Sequence, residues 1–173
     1  MNTIECIKSR ASVRNFRPDK IPDAVINEIL EAAINAPSAG NVQDWEFIVV
    51  GRQDAKGRLA EAAWGQDFIS QAPVVIVVCS NLRNIANAYG ERGTGLYSIQ
   101  DAAAATQNIL LAAREKGIGS CWVGSFNEQK VRDIVVLPGH VRPLALVPLG
   151  YPIAEPRKTG RRNLQEVVHR DFY

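Results

Sequence analysis

Pro73 is followed by six unbroken apolar residues, Val74-Val75-Ile76-Val77-Val78-Cys79, and five of the six are β-branched. Branching at Cβ crowds a helical turn and suits a pleated strand. A strand with one wet face would alternate polar with apolar; a run with no polar member is covered on both sides. The chain must therefore supply helices for two faces of a sheet, which predicts layers of helix around a central strand. The same run is the longest apolar stretch and is far too short to cross a bilayer, so no membrane association is expected.

The covering helices are legible by periodicity. Residues 2–9 predict a short opening helix with Ile4 and Ile7 on one face. Val25, Ile26, Ile29, Leu30 and Ala33 recur at spacings of three and four, predicting a helix from Pro22-Asp23 to about Asn35 that Pro37 ends. Trp45 to Val50 reads as a buried strand, and Gln53 to about Ala63 as a helix. Residues 81–93 are polar, with Gly90 and Gly93, and suit either a mobile excursion or a helical lid. Leu96 to Lys116 predicts the longest helix, its face set by Ile99, Ala102, Ala103, Thr106, Ile109, Leu110 and Ala113 and its end capped by Gly117. Ser120 to Val123 reads as a short strand, Asn127 caps a helix to about Val135, and Arg142 to Leu149 is the last strand. A polar, basic tail follows from Gly150. This order, ααβαβαβαβ, leaves parallel or antiparallel pairing open.

Length and charge narrow the function classes. With 173 residues the chain predicts one domain; a net charge of +2 argues neither for nor against nucleic acid and predicts no strong long-range steering. Cys6, Cys79 and Cys121 are an odd number and far apart, so neither a disulfide framework nor a metal centre is expected, and a reducing cytoplasm fits best. The N-terminus lacks the apolar run of a leader.

Several segments could carry chemistry. In Arg10-Ala11-Ser12-Val13-Arg14 an extended backbone would turn residues 10, 12 and 14 the same way. Two guanidiniums and a hydroxyl so arranged suit phosphate oxygens, but they also suit a solvated basic turn. The tail residues Arg157, Lys158, Arg161 and Arg162 fit a solvated tail, a second grip on the same phosphate, or a weak nucleic-acid patch. Pro37-Ser38-Ala39-Gly40-Asn41-Val42-Gln43-Asp44-Trp45 carries two amides able to read a heterocycle edge, or is an ordinary turn. The glycines from Gly117 to Gly124 miss the dinucleotide fingerprint because Trp122 interrupts it, and no phosphate-binding P-loop occurs. Cys121 and Cys79 read as small buried hydrophobes, and Asp101 as a favourable charge at a helix start.

Taken in order, six segments resemble the FMN-dependent nitroreductase family over about residues 4–169. They are Arg10-Ala11-Ser12-Val13-Arg14-Asn15-Phe16; Ala36 to Gln43 with Trp45 and Phe47; Ala72 to Ile76; Gln100 to Ala105; Gly119 to Gly124; and Leu149-Gly150-Tyr151-Pro152. The resemblance implies an α+β fold, three layers α/β/α with a mostly antiparallel central sheet. It also implies an intertwined homodimer with two FMN sites between subunits, the tail from about 151 to 173 wrapping the core or the partner. By motif, Arg10 and Ser12, within the stretch that includes Ala11 and Val13, match the phosphate and ribityl contacts. Arg14 matches the basic residue by the flavin pyrimidine edge. Pro37, Ser38, Ala39 and Asn41 match the segment that the partner subunit brings to the ring. Gln66 matches an amide that meets the flavin or ribityl, and Gly124 and Ser125 match the stretch by its reactive edge. Lys158 and Arg161, with Arg157 as a rival, lie near the C-terminal phosphate grip. Asp44 departs from the family pattern, which has Pro there. No side chain is implied as a catalytic acid or base.

The activity implied is electron transfer from NADH or NADPH to a small acceptor, such as a nitroaromatic or quinone, by a ping-pong scheme. Reductive dehalogenation, flavin-consuming chemistry, or flavin binding with little turnover are the alternatives on the same fold.

Overall fold

A computed structural model describes all 173 residues. Helix α1 (Thr3–Ser9) starts in a capping box: the Asn2 side chain accepts from the Glu5 amide, and the Glu5 carboxylate accepts from the Asn2 amide. Helix α2 (Asp23–Ile34) buries Ile26, Ile29 and Ala33. Then come β1 (Trp45–Val50), α3 (Gln53–Ala62), the four-residue α4 (Phe68–Gln71) and β2 (Val74–Asn81). Helix α5 (Leu82–Arg92) leads through a π-turn (Gly93–Tyr97) into α6 (Ser98–Glu115), the longest helix. The chain closes with β3 (Gly119–Ser120), α7 (Glu128–Ile134), β4 (Val141–Gly150) and a tail holding one 3-10 turn (Leu164–Glu166). No helix is long and apolar enough to cross a membrane.

The sheet order is β1-β2-β4-β3, and every strand pair is antiparallel. β2 is central, as its unbroken apolar run requires. Alternate residues divide between two cores: Val74, Ile76 and Val78 pack with α2 and α6 residues such as Ile29 and Ile109. Val75, Val77 and Cys79 pack on the other face with Leu59 of α3 and Val131 of α7. The result is three layers, α/β/α. Pro143 in β4 sits where the β2–β4 register shifts, a place with no regular ladder bond to lose.

Two expectations need correction, and one open choice is resolved. β1 is an edge strand, and Glu46 and Val49 are exposed, because its outer side has no neighbour. Of the two readings of residues 81–93 the helical one holds: α5 covers most of the segment, capped by the Asn81 side chain and broken at Gly90 (φ 54°). The buried stripe of α6 is Ser98, Asp101, Ala102, Ala105, Thr106, Ile109, Leu110 and Ala113, leaving Ile99 exposed.

Candidate functional site

The segment after α1 is extended and stitched down at both ends. The Val13 amide donates to the Ser120 carbonyl of β3 (2.9 Å), and the Arg17 amide donates to the Tyr151 carbonyl just past β4 (2.8 Å). Val13 and Phe16 are buried, and this fixes the alternation: Ser12 and Arg14 face outward. Packing explains the two glycines beneath. A Cβ on Gly119 would meet the Val13 side chain at 2.8 Å, and one on Gly150 would meet Pro73 at 2.7 Å and Phe16 at 2.9 Å. The same Tyr151 exit sends the tail back past Asn15, whose carbonyl accepts from the Ile153 amide (3.2 Å).

Both ends of the chain therefore meet at one cavity of about 520 Å³. Lys8, Arg10 and Arg14 line it from the N-terminal side, Arg157, Lys158 and Arg161 from the tail, with Ala11, Ser12 and Thr159 between them. No carboxylate lines it, and none of these six cations enters an ion pair. Uncompensated positive charge around a concave surface with a hydroxyl is an arrangement for a polyanionic group such as phosphate. Arg161 donates to the Thr159 and Gly160 carbonyls and to the Thr159 hydroxyl, so its guanidinium also braces the tail loop. Val13 does not line the cavity; its side chain and amide hold the segment in place. Lys8, on the last turn of α1, was missed in the sequence; its signal was a cation two residues before Arg10.

A second group adjoins the first through Arg14, whose guanidinium carbon lies 5.7 Å over the Phe68 ring. Two residues before Phe68, the Gln66 side-chain amide donates to the Ala63 carbonyl (2.9 Å) and to the Ser125 carbonyl (3.3 Å). Gln66 and Ser125 are thus brought together, and Gly124 and Ser125 are exposed. Cys121 lies beneath, buried; burial pushes its thiol up, while Arg14 and a hydrogen bond from Ser12 pull it back.

The third group stands apart. Pro37, Ser38, Ala39 and Asn41 lie in a turn that is absent from the cationic cavity. Gly40, Asn41 and Gln43 all have left-handed backbone (φ 54°, 56° and 54°). The Ser38 hydroxyl accepts from the Gln43 amide (3.0 Å), and the Asp101 carboxyl accepts from the Ala39 amide (3.0 and 3.1 Å). Asp44 is fully buried next to the turn and accepts from the Ser80 hydroxyl. Asp101 stands in the first turn of α6, as expected of a charge at a helix start, and is in addition part of a buried network.

Comparison with known proteins bears on this geometry. The model of the nitroreductase family matches residues 7–66 and 62–151. The chain is 36% identical over 186 residues to an NADH dehydrogenase of Thermus thermophilus, covering 92% of this chain and 91% of that one. It is 29% identical to the FMN reductase (NADPH) of Bacillus subtilis, covering 99% of this chain and 74% of that protein. Among solved structures, the NADPH:FMN oxidoreductase of Vibrio harveyi in complex with NAD+ superposes with a TM-score of 0.91 at 27% identity, covering all of this chain and 78% of that one.

Proposed function

This chain belongs to the nitroreductase family, and on that premise we propose that the cationic cavity holds the phosphate of FMN. The protein is an FMN-dependent oxidoreductase that takes electrons from NADH or NADPH and passes them to a small acceptor. Bound FMN supplies the two-electron redox chemistry that links the two half-reactions. The observation carrying the assignment is the convergence of Arg10, Ser12 and Arg14 with Arg157, Lys158 and Arg161 on one cavity free of carboxylates.

The residues fit the cofactor in chemical type. Guanidiniums offer paired donors to phosphate oxygens, and Ser12 adds a hydroxyl. Ala11 leaves room between them, and Val13 keeps the segment extended. Arg14, next to Phe68 and Gln66, puts a positive charge where the pyrimidine edge of the ring would gain negative charge. Gln66, Gly124 and Ser125 offer amide and backbone groups to the polar edge of the ring. Pro37, Ser38, Ala39 and Asn41 lie outside the cavity of their own chain, which supports their being supplied to the partner's ring in a homodimer. Exposed apolar residues support that assembly: Ile4 and Ile99 on helices, and Leu164, Phe172 and Tyr173 on the tail. In this reading residues 1–173 form one FMN-binding domain whose tail, from about 151, wraps core or partner. Three unpaired cysteines fit a reducing cytoplasm, and nitroaromatics or quinones fit the acceptor role.

The test is direct. Purified protein should be yellow or take up added FMN, and mixing with NADH or NADPH without oxygen should bleach the flavin absorbance. Folded protein that binds no FMN ends the proposal. A bound flavin that stays oxidised with both donors reduces it to flavin binding alone.

A further inference from the structure

Asp44 and Asp101 form a buried acidic pair with no counter-charge. Asp44 is 0% exposed and Asp101 is 5% exposed. One Asp44 oxygen accepts from Ser80; the other, Oδ1, is buried and has no donor. Asp101 lies within hydrogen-bonding reach of Asp44. Two carboxylates cannot both stay ionised cheaply in such a place, but one proton between them satisfies both. If Asp101 carries it and donates to Asp44, the orphaned oxygen gains its partner.

The groups facing the pair come from four elements. Ser80 comes from β2 and the Ala39 amide from the turn. Tyr89 of α5 and Tyr97 of the π-turn share a cavity of about 380 Å³ with Ala39, Gly40, Gln100 and Asp101. No cation lines this cavity; Arg92 donates to the Tyr97 hydroxyl (2.9 Å). The field at Asp101 is set by burial, by Asp44 and by the Ala39 amide, with no contribution from a cation; burial and Asp44 push its carboxyl up to about 6.

We propose that Asp44 and Asp101 share one proton and, through the Ala39 amide, act as positioning residues that hold the Ser38–Gln43 turn in its flavin-binding shape. Its functional half rests on the flavin reading above; the proton sharing does not. The turn needs such support because Gly40, Asn41 and Gln43 all lie in the left-handed region, a costly conformation for the two that carry side chains. With the proton in place, Asp101 bridges the turn to Asp44 and Asp44 bridges on to β2. Loss of the proton sets two negative charges against each other beneath the turn.

Two readouts test this in the full-length protein. The first is the Ala39 backbone amide signal in 15N-labelled protein without flavin, followed from pH 5 to 8. It should titrate with a midpoint near 6, and Asp101→Asn, whose side chain mimics the protonated acid, should abolish the titration. The second is the FMN dissociation constant over the same range. FMN's own phosphate titrates near pH 6, so the quantity to follow is the ratio of wild-type to Asp101→Asn constants at each pH. The ratio should rise by about tenfold from pH 5 to 8, one pKa unit of coupling. Asp44→Asn keeps a donor toward Asp101 and should flatten the profile as well, so misfolding of one variant leaves the other to decide. An Ala39 signal that ignores pH, or titrates equally in the variants, overturns the shared proton. A titrating Ala39 with a constant ratio overturns the positioning role and leaves the flavin site intact. No FMN uptake by wild type and variants at any pH would overturn the flavin reading and the positioning role with it.

Discussion

The two ends of the proposed flavin site are built in opposite ways. The phosphate end is open and cationic, and one chain completes it by folding its two termini against each other. The ring end, from Pro37 to Gln43, rests on two buried carboxyls, and its own chain gives it no share in that cavity. The first end is mostly charge on an extended scaffold: solvated cations cost little to hold there until an anion arrives. The second is mostly shape, with left-handed residues held from beneath by hydrogen bonds. Removing charge should therefore cost affinity without unfolding the protein, whereas disturbing shape should cost stability and affinity together.

The largest effect should come from deleting the tail after Pro156. This removes Arg157, Lys158 and Arg161 at once, and hydrogen bonds to charged groups contribute about 1.5–3 kcal/mol each. The FMN dissociation constant should rise by about a thousandfold or more, as measured by flavin fluorescence. Residues 157–173 are all exposed, so the melting temperature of the flavin-free protein should barely move at a fixed oligomeric state. Unchanged affinity would break the idea that the termini cooperate.

The next test asks which chain supplies which end. Arg10→Ala alone should weaken FMN by about 10- to 100-fold, and Asn41→Ala by less. In a mixed dimer of one Arg10→Ala subunit and one Asn41→Ala subunit, sites shared across the interface become one doubly damaged and one intact. Half of the sites should then bind FMN with wild-type affinity. If each chain completes its own site, no wild-type site forms, and the intersubunit reading fails.

The same contrast explains what the sequence disclosed. β2 was legible because six apolar residues admit little but a doubly covered strand. The cationic end was legible as charge, its phosphate role being proposed: Arg10, Arg14 and the tail cations stand out even where the fold that joins them does not. The antiparallel pairing came from resemblance, since alternation along a strand is blind to its neighbour's direction. Helix α4 spans only Phe68–Gln71, too short for a helical period to show. In α5 only Ile85 is buried, so its polar sequence left an excursion and a helical lid both open. α6 was found but rotated. Its true stripe contains Ser98 and Asp101, and a search for apolar repeats shifts the face toward Ile99. That rotation hid Asp101's role, because a buried carboxyl becomes sensible only once Asp44, 57 positions earlier in the chain, is seen beside it.

Scaffold and charge can be separated by Gly119→Ala. The added methyl meets Val13 at 2.8 Å, and Val13 carries the backbone bond that holds the Arg10–Arg14 segment to β3. Overpacking of this kind costs about 1–3 kcal/mol. Thermal unfolding should show that loss, and FMN should bind several-fold more weakly although every cation remains. A stable variant with weak binding would mean that the segment moves freely; a destabilised one with full affinity would mean that its placement is irrelevant to the phosphate.

The last effect concerns the ring end, and its sign follows from Asp101. Burial, then Asp44, raise this carboxyl from the ordinary 3.8 to about 6, against the pull of the Ala39 amide. A folded state that holds its proton more tightly than the unfolded chain is stabilised by that proton. The contribution is complete below about pH 4 and is lost as pH rises through about 6. Asp101→Asn has no proton to lose. Its stability relative to wild type should therefore climb between about pH 4 and 6 and level off above, by at most about 3 kcal/mol, as read by denaturant titration at fixed ionic strength. The slope has the opposite direction to that of an ion-paired carboxylate, which stabilises as pH rises. A variant that instead loses ground across this window would place a cation near Asp101 and leave the ring end held by charge, like the phosphate end, rather than by a shared proton.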